Sequence, residues 1–183
     1  MRIPPVPNPR SLVVRIAYWM SRRQLGKVPT AFQVIYGNAP HLARATYGIV
    51  QTMEKKLSLE EDLRLLITTQ SSLINGCTFC ADLHRAQAIQ AKMGMERFRD
   101  LAEFRTSPHF SPRERAALGF TEEVTRERKA SDATFEALRP HFGDREIVEL
   151  AWLNAVGNFF NLEAVALGLE SDGLAELAEQ RVG

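Results

Sequence analysis

The only two cysteines of the chain stand three residues apart in NGCTFCADLH, Asn75 to His84, with a histidine four residues beyond the second. The residues after Gly76, CTFCADLHRAQAIQAKM, read as a helix that ends before Gly94. Cys77, Cys80 and His84 are then related as i, i+3 and i+7 and stack on one helical face, with Cys77 in the first turn. A thiol in a first turn meets unpaired backbone N–H groups and the positive end of the helix dipole, which stabilise its thiolate. His84 lies one turn from Cys80 and can either accept its proton or hold the thiolate as an ion pair. If one sulfur is oxidised to a sulfenic acid, the other is close enough to condense with it into a disulfide that an external thiol can reopen.

The same residues admit other chemistry. Structural zinc needs four ligands, so a site here must recruit His84 and one of His41, His109 or His141. Haem attachment needs histidine directly after the second cysteine, and Ala81 occupies that place. Two small thiols and a hydrogen-bonded histidine can also simply pack a helix interface. No cofactor and no metal is expected.

The elements that position the motif read as helices. Apolar residues recur at helical spacing from Ser11 onward, as in Leu12, Ile16, Trp19 and Met20, and no sustained alternation of period two appears. The fold class is all-α, a bundle of about seven or eight helices with short connections. Ser58 with Glu61, and Ser111 with Pro112 and Glu114, read as capping boxes, so helices should begin near Leu59 and Pro112. Ser131 and Asp144 suggest further starts, and Gly26, Gly94, Gly143 and Gly168 suggest stops. The run TRERK, Thr125 to Lys129, reads as a solvated helix end. The opening MRIPPVPNPR carries four prolines and reads as an extended arm, residues 1–10, that is tied down, stays mobile or lies on a neighbouring subunit.

Composition bounds the function class. The 183 residues suffice for one domain, 1–183, and 45% apolar with 25% charged residues is the balance of a globular protein. Basic residues number 23 and acidic ones 22, so no charge field invites nucleic acid, and the expected partners are small molecules or other proteins. LVVRIAYWM, Leu12 to Met20, is too short to span a bilayer, is broken by Arg15 and precedes no small-residue cleavage site, so no membrane association and a cytoplasmic location are expected. In that reducing compartment a close cysteine pair serves metal binding or catalysis more often than a framework disulfide.

LSLEEDLRLLITTQSSLINGCTFCADLHRAQAIQ resembles the core of the AhpD-like alkyl hydroperoxidases of the carboxymuconolactone decarboxylase superfamily, whose signature is C-x-x-C-x-x-x-H preceded by a helix containing a glutamate. FSPRERAALGFTEEV and DREIVELAWLNAVGNFFNLEAVALGL resemble later helices of the same proteins, so the likeness runs from about Val28 to Leu169. The resemblance implies an AhpD-like helical bundle assembled as a homo-oligomer, trimer or hexamer. It also implies a peroxide-reducing activity in which Cys80 attacks the peroxide, Cys77 resolves the sulfenic acid and His84 belongs to the proton relay. The implied reductant is a dithiol carrier such as a lipoyl domain or a thioredoxin-like protein. Disulfide reduction or redox sensing without peroxide turnover, and decarboxylation of a lactone acid, are the alternatives. The relay glutamate of the family falls at Leu65 and the second histidine of some members at Phe79. Glu61, one turn before Leu65 on the same face, is the candidate substitute acid, with Asp62 beside it; its competing task is the capping box with Ser58.

Two further groups stand out. Asn154, Asn158 and Asn161 form a polar stripe in an apolar helix, which reads as an inter-helix hydrogen-bond network ahead of a substrate lining. Trp19, Trp152, Phe159 and Phe160 read as core or subunit-interface residues, and His41, His109 and His141, each following a proline, as surface residues.

Overall fold

The Leu59–Cys77 stretch and the residues after it fold back on each other as a helical hairpin, and the rest of the chain packs around that hairpin. The computed structural model describes residues 1–182, and among them there are ten α-helices, one 3-10 turn and no strand. In chain order the helices are α1 (Leu12–Leu25), α2 (Thr30–Asn38), α3 (Pro40–Lys55), α4 (Glu61–Ile74), α5 (Thr78–Gln90), α6 (Glu96–Arg99), α7 (Pro112–Glu127), α8 (Asp132–Leu138), α9 (Asp144–Ala166) and α10 (Leu174–Val182). The all-α expectation holds, with more helices than the expected seven or eight because a short piece such as α6 carries too few residues to show a period.

Local signals account for most boundaries. Ser111 accepts a bond from the Glu114 N–H while the Glu114 carboxylate returns to the Ser111 N–H, completing the expected capping box. Ser131 caps α8, and Gly26 ends α1 in the left-handed conformation. The capping box at Ser58 does not form. Its hydroxyl and N–H both donate to Glu149 of α9, at 2.7 and 2.6 Å, and α4 begins at Glu61 instead of near Leu59. A partner 91 residues away thus overrides the local pattern. Gly94 and Gly143 are not helix stops: α5 ends at Gln90, and Gly143 is the N-cap of α9.

The proline-rich arm lies on its own chain. Its Val6 N–H donates to the Gln33 carbonyl, its Arg2 N–H to the Leu167 carbonyl, and the Tyr18 hydroxyl donates to the Val6 carbonyl. Trp19 and Phe159 are not core: each is at least half exposed, Trp19 at 56%. At the TRERK run, Arg126 to Lys129 are exposed but Thr125 is buried and donates to Asn154 Oδ1, because α9 passes over it.

α4 is the central helix. It is flanked by α5, α7 and α9, and every residue from Leu66 to Ser72 is buried. Five consecutive polar side chains, Thr68 to Ser72, therefore sit inside the bundle. Four of them return their hydroxyls to carbonyls of α4 itself: Thr68 to Arg64, Thr69 to Leu65, and Ser71 and Ser72 to Thr68. Such bonds satisfy a buried hydroxyl without a partner from another element. They leave a surface of small groups that α9 approaches closely, and a Cβ at Gly157 would stand 3.0 Å from Ser71 Oγ.

Candidate active site

Asn75 and Gly76 turn the chain from α4 into α5, with Gly76 at φ +68°, a conformation that costs a residue with a Cβ about 1–2 kcal/mol. The turn puts Cys77 at the N-cap of α5 and Cys80 in its first turn. The two are joined by a disulfide, with Cα atoms 5.3 Å apart, and both are buried, at 1% and 5% exposure. The Cys80 N–H donates to Cys77 Sγ at 3.2 Å, so this sulfur takes the place that a serine or aspartate oxygen usually holds at a helix start. An anion formed there would meet an N–H already aimed at it.

His84 lies one turn beyond Cys80. Its Nδ1 is enclosed and has no hydrogen-bond partner among the described residues, although the residue as a whole keeps some exposure. Burial lowers the imidazole pKa to about 4, an effect the Thr68 carbonyl of α4 offsets only in part. In the oxidised structure the ring is therefore uncharged at neutral pH, with one nitrogen a donor and the other an acceptor.

Cys77 and Cys80 are thus bonded to each other with His84 one turn further along the same helix, and Glu61 does not join them. Glu61 is the exposed first residue of α4, lying roughly 10 Å along the helix axis from Thr68, and its charge acts on Glu54. Asp62, its neighbour, is paired with Arg97 at 3.0 Å, and Arg97 also holds Glu114. Leu65, the place of the family glutamate, is a partly buried member of the cluster that contains Leu66, Ala88 and Phe98. His109, one of the histidines zinc would need, pairs with Asp100 at 2.9 Å. No group of three or more potential metal-ligating side chains occurs among the described residues.

The surroundings of the disulfide are closed on three sides. Phe79 packs edge-on against Phe32 of α2, with ring centroids 6.3 Å apart. On the α9 side the asparagine stripe forms the expected network: Asn75 donates to Asn158 and Asn161 at 2.9 and 3.1 Å, and Asn161 donates to Ser72 at 3.0 Å. It anchors the turn that carries Cys77. On the α10 side Asp82, inside the motif and not singled out in the sequence, accepts from the Ser171 hydroxyl and from the N–H groups of Asp172, Leu174 and Ala175. Burial acts to raise the Asp82 pKa, but these four donors outweigh it and hold the carboxyl below its ordinary value. Its only sequence signal is an acidic residue between Cys80 and His84, the one carboxylate of α5. Beside the turn that precedes the disulfide lies an exposed cleft of about 520 Å³ lined by Gly76, Thr78, Val165, Gly168, Leu169, Glu170 and Ser171, and neither cysteine reaches its lining.

Comparison with known proteins agrees with this geometry. Residues 40–123 match the carboxymuconolactone decarboxylase family model. A protein of unknown function from Agrobacterium tumefaciens, provisionally assigned to AhpD antioxidant defence, is 30% identical, covering 74% of this chain and 94% of that one with a TM-score of 0.70. The chain belongs to the AhpD-like proteins of the carboxymuconolactone decarboxylase superfamily. An uncharacterized Escherichia coli protein, YnjA, is 26% identical over 183 residues, covering 99% of this chain and all of that one. The debrominase Bmp8 shares the fold, with a TM-score of 0.80 over 99% of this chain and 97% of that one, at 21% identity. The family is enzymatic, and the debrominase shows that the same bundle fold carries a different chemistry in another protein.

Proposed function

We propose that the protein is a thiol-dependent peroxidase. The observation that carries the reading is the Cys77–Cys80 disulfide within the first turn of α5, with an uncharged His84 on the next turn and an open cleft at the turn that precedes it. In the reduced form His84 takes the Cys80 proton and the thiolate attacks the terminal oxygen of an alkyl or hydrogen peroxide. The O–O bond breaks, Cys80 becomes a sulfenic acid and the departing alkoxide or hydroxide takes up a proton. The Cys77 sulfur, stabilised at the helix N-cap, then attacks Cys80, releases water and forms the disulfide. A dithiol reductant, a lipoyl or thioredoxin-like protein, restores both thiols. The exposed apolar residues of α1 (Leu12, Ile16, Trp19) and α9 (Phe159, Leu162) are surfaces on which a trimer or hexamer of this chain would close. No helix among the described residues is long and apolar enough to cross a membrane.

Stopped-flow consumption of cumene hydroperoxide by the reduced protein tests this, with free thiols counted before and after. Wild type should lose both thiols, Cys77→Ser should stop at a sulfenic acid and Cys80→Ser should leave peroxide untouched. A second reading, disulfide exchange or redox sensing without peroxide turnover, draws on Leu65: the carboxylate of the family relay is absent, and Glu61 and Asp62 lie away from His84. Thiols that exchange with disulfides but ignore peroxide would establish that reading.

A further inference from the structure

The charged run that closes α7 holds a residue in a conformation its type does not favour. Arg128, the C-cap, stands at φ +62° and ψ 18°, in the left-handed region where glycine is the usual choice. Its N–H closes the helix on the Val124 carbonyl, a bond that glycine would make equally well. A side chain in this region persists only where its surroundings fix it, and such positions gather at functional sites. The guanidinium shows what fixes this one. Its Nη1 donates to the Thr125 carbonyl at 2.7 Å and to Asn158 Oδ1 of α9 at 3.3 Å.

Asn158 Oδ1 is also the atom that accepts from Asn75 at 2.9 Å. One oxygen, with a lone pair for each donor, therefore joins the end of α7 to the turn that delivers Cys77. The amide is held at its other end as well, where Nδ2 donates to the Asn154 carbonyl at 2.9 Å and to Thr125 Oγ1 at 3.3 Å. Beside it, Asn161 accepts from Asn75 and donates to Ser72, whose own carbonyl accepts the Cys77 N–H at 2.9 Å. Of these bonds only the one from Arg128 is donated by a charged group, and charged donors make the stronger bonds. The turn needs such a hold. Gly76 has the most backbone freedom of any residue type, so once the S–S bond is open the position of Cys77 depends on what fixes Asn75.

We propose that Arg128 is a positioning residue for the redox centre: its guanidinium fixes the Asn158 amide, which holds the Asn75–Gly76 turn and keeps Cys77 within bonding reach of Cys80 when the disulfide is open. It acts through Asn158 and not on either sulfur.

The inference rests on the redox reading of the site, but its first test does not. Arg128→Gly supplies the residue that the left-handed conformation favours, so α7 stays capped and the melting temperature should hold or rise. In the reduced protein, with no oxidant present, hydrogen exchange at the Gly76 and Cys77 amides should nevertheless quicken about tenfold, while Thr121 in the middle of α7 keeps its wild-type rate. Equilibrated with glutathione and its disulfide, the Cys77–Cys80 pair of the variant should move about threefold toward the dithiol. Asn158→Ala should give a similar shift, and adding Arg128→Gly to it should give no more. Amide exchange and redox equilibrium both unmoved in Arg128→Gly, with or without a change in melting temperature, reduce Arg128 to a helix cap and overturn the proposal, as do shifts that add in the double variant. If both readings follow Arg128 but peroxide is left untouched, the positioning role stands and the peroxidase reading falls.

Discussion

Two faces of α5 are satisfied to different degrees. Asp82, nearly opposite His84 around the helix, accepts four hydrogen bonds from the Ser171–Ala175 segment and carries no unused bonding capacity that the fold needs to fill. His84 faces α4 with a buried ring nitrogen that no described residue pairs. Both groups are titratable, both are largely withdrawn from water, and they lie two residues apart. The carboxylate is held charged by its donors, and the imidazole is held uncharged by burial. A group whose bonds are all used inside the fold serves stability, whereas a ring nitrogen left unpartnered near a disulfide is where the peroxidase proposed above would find its proton acceptor.

Separating rate from stability breaks or sharpens that contrast. The largest effect is expected from His84→Gln: loss of the positioned base should slow Cys80 oxidation by about 10²–10⁴-fold, with little change in melting temperature at pH 7. Stopped-flow oxidation and calorimetry on the same sample check it. A variant that unfolds readily yet retains its rate would reverse the assignment. The next effect belongs to Asp82→Ala, which orphans the N–H groups at the start of α10 and should cost about 2–4 kcal/mol, roughly 6–12 °C in melting temperature for a chain of this length. Because the same segment lines the cleft, with Thr78 Oγ accepting from the Ser171 N–H at 3.2 Å, the disulfide should also become faster to reduce.

Acid separates the two groups by window. His84 has a folded pKa of about 4 against about 6.5 unfolded, so between those values the unfolded chain binds a proton that the native one refuses. Stability then falls as pH drops from about 6.5 toward 4, by up to about 3 kcal/mol, and His84→Gln should flatten that part of the curve. Asp82 has a folded pKa below its ordinary value; its contribution is complete above the unfolded value of about 3.9 and is lost only as pH falls through the folded one. Denaturant midpoints from pH 7 to 3 for both variants resolve the two windows. A wild-type curve flat between pH 6.5 and 4 would contradict the state assigned to His84.

The redox motif was legible because its spacing and the helix period coincide: Cys77, Cys80 and His84 need only one continuous helix to meet, and Gly76 marks where it starts. The asparagine stripe was legible for a similar reason, since polar groups at helical spacing in an apolar segment must bond to something. What the sequence concealed depends on partners far along the chain. Ser58 and Glu61 match a capping box, but Glu149 claims the serine. Asp82 looks like any charge on a helix until the Ser171–Ala175 segment arrives 89 or more residues later. TTQSS, Thr68 to Ser72, puts five polar residues on the helix leading into the cysteines, and that run was a signal of a polar interior on the motif's own side of the bundle.

The smallest expected effect concerns Glu61, the residue that the family pattern brings forward in place of Leu65. As the exposed first residue of α4 it interacts with the helix dipole, a contribution of about 0.3–1 kcal/mol at a surface site. Glu61→Gln retains the shape and removes the charge, so stability should fall by no more than about 0.5 kcal/mol and Cys80 oxidation should stay within about twofold of wild type. Measuring that rate for variant and wild type at one pH places the proton path. A tenfold loss from Glu61→Gln would carry the path out to the start of α4 through groups beyond His84; an unchanged rate keeps it within one turn of the disulfide.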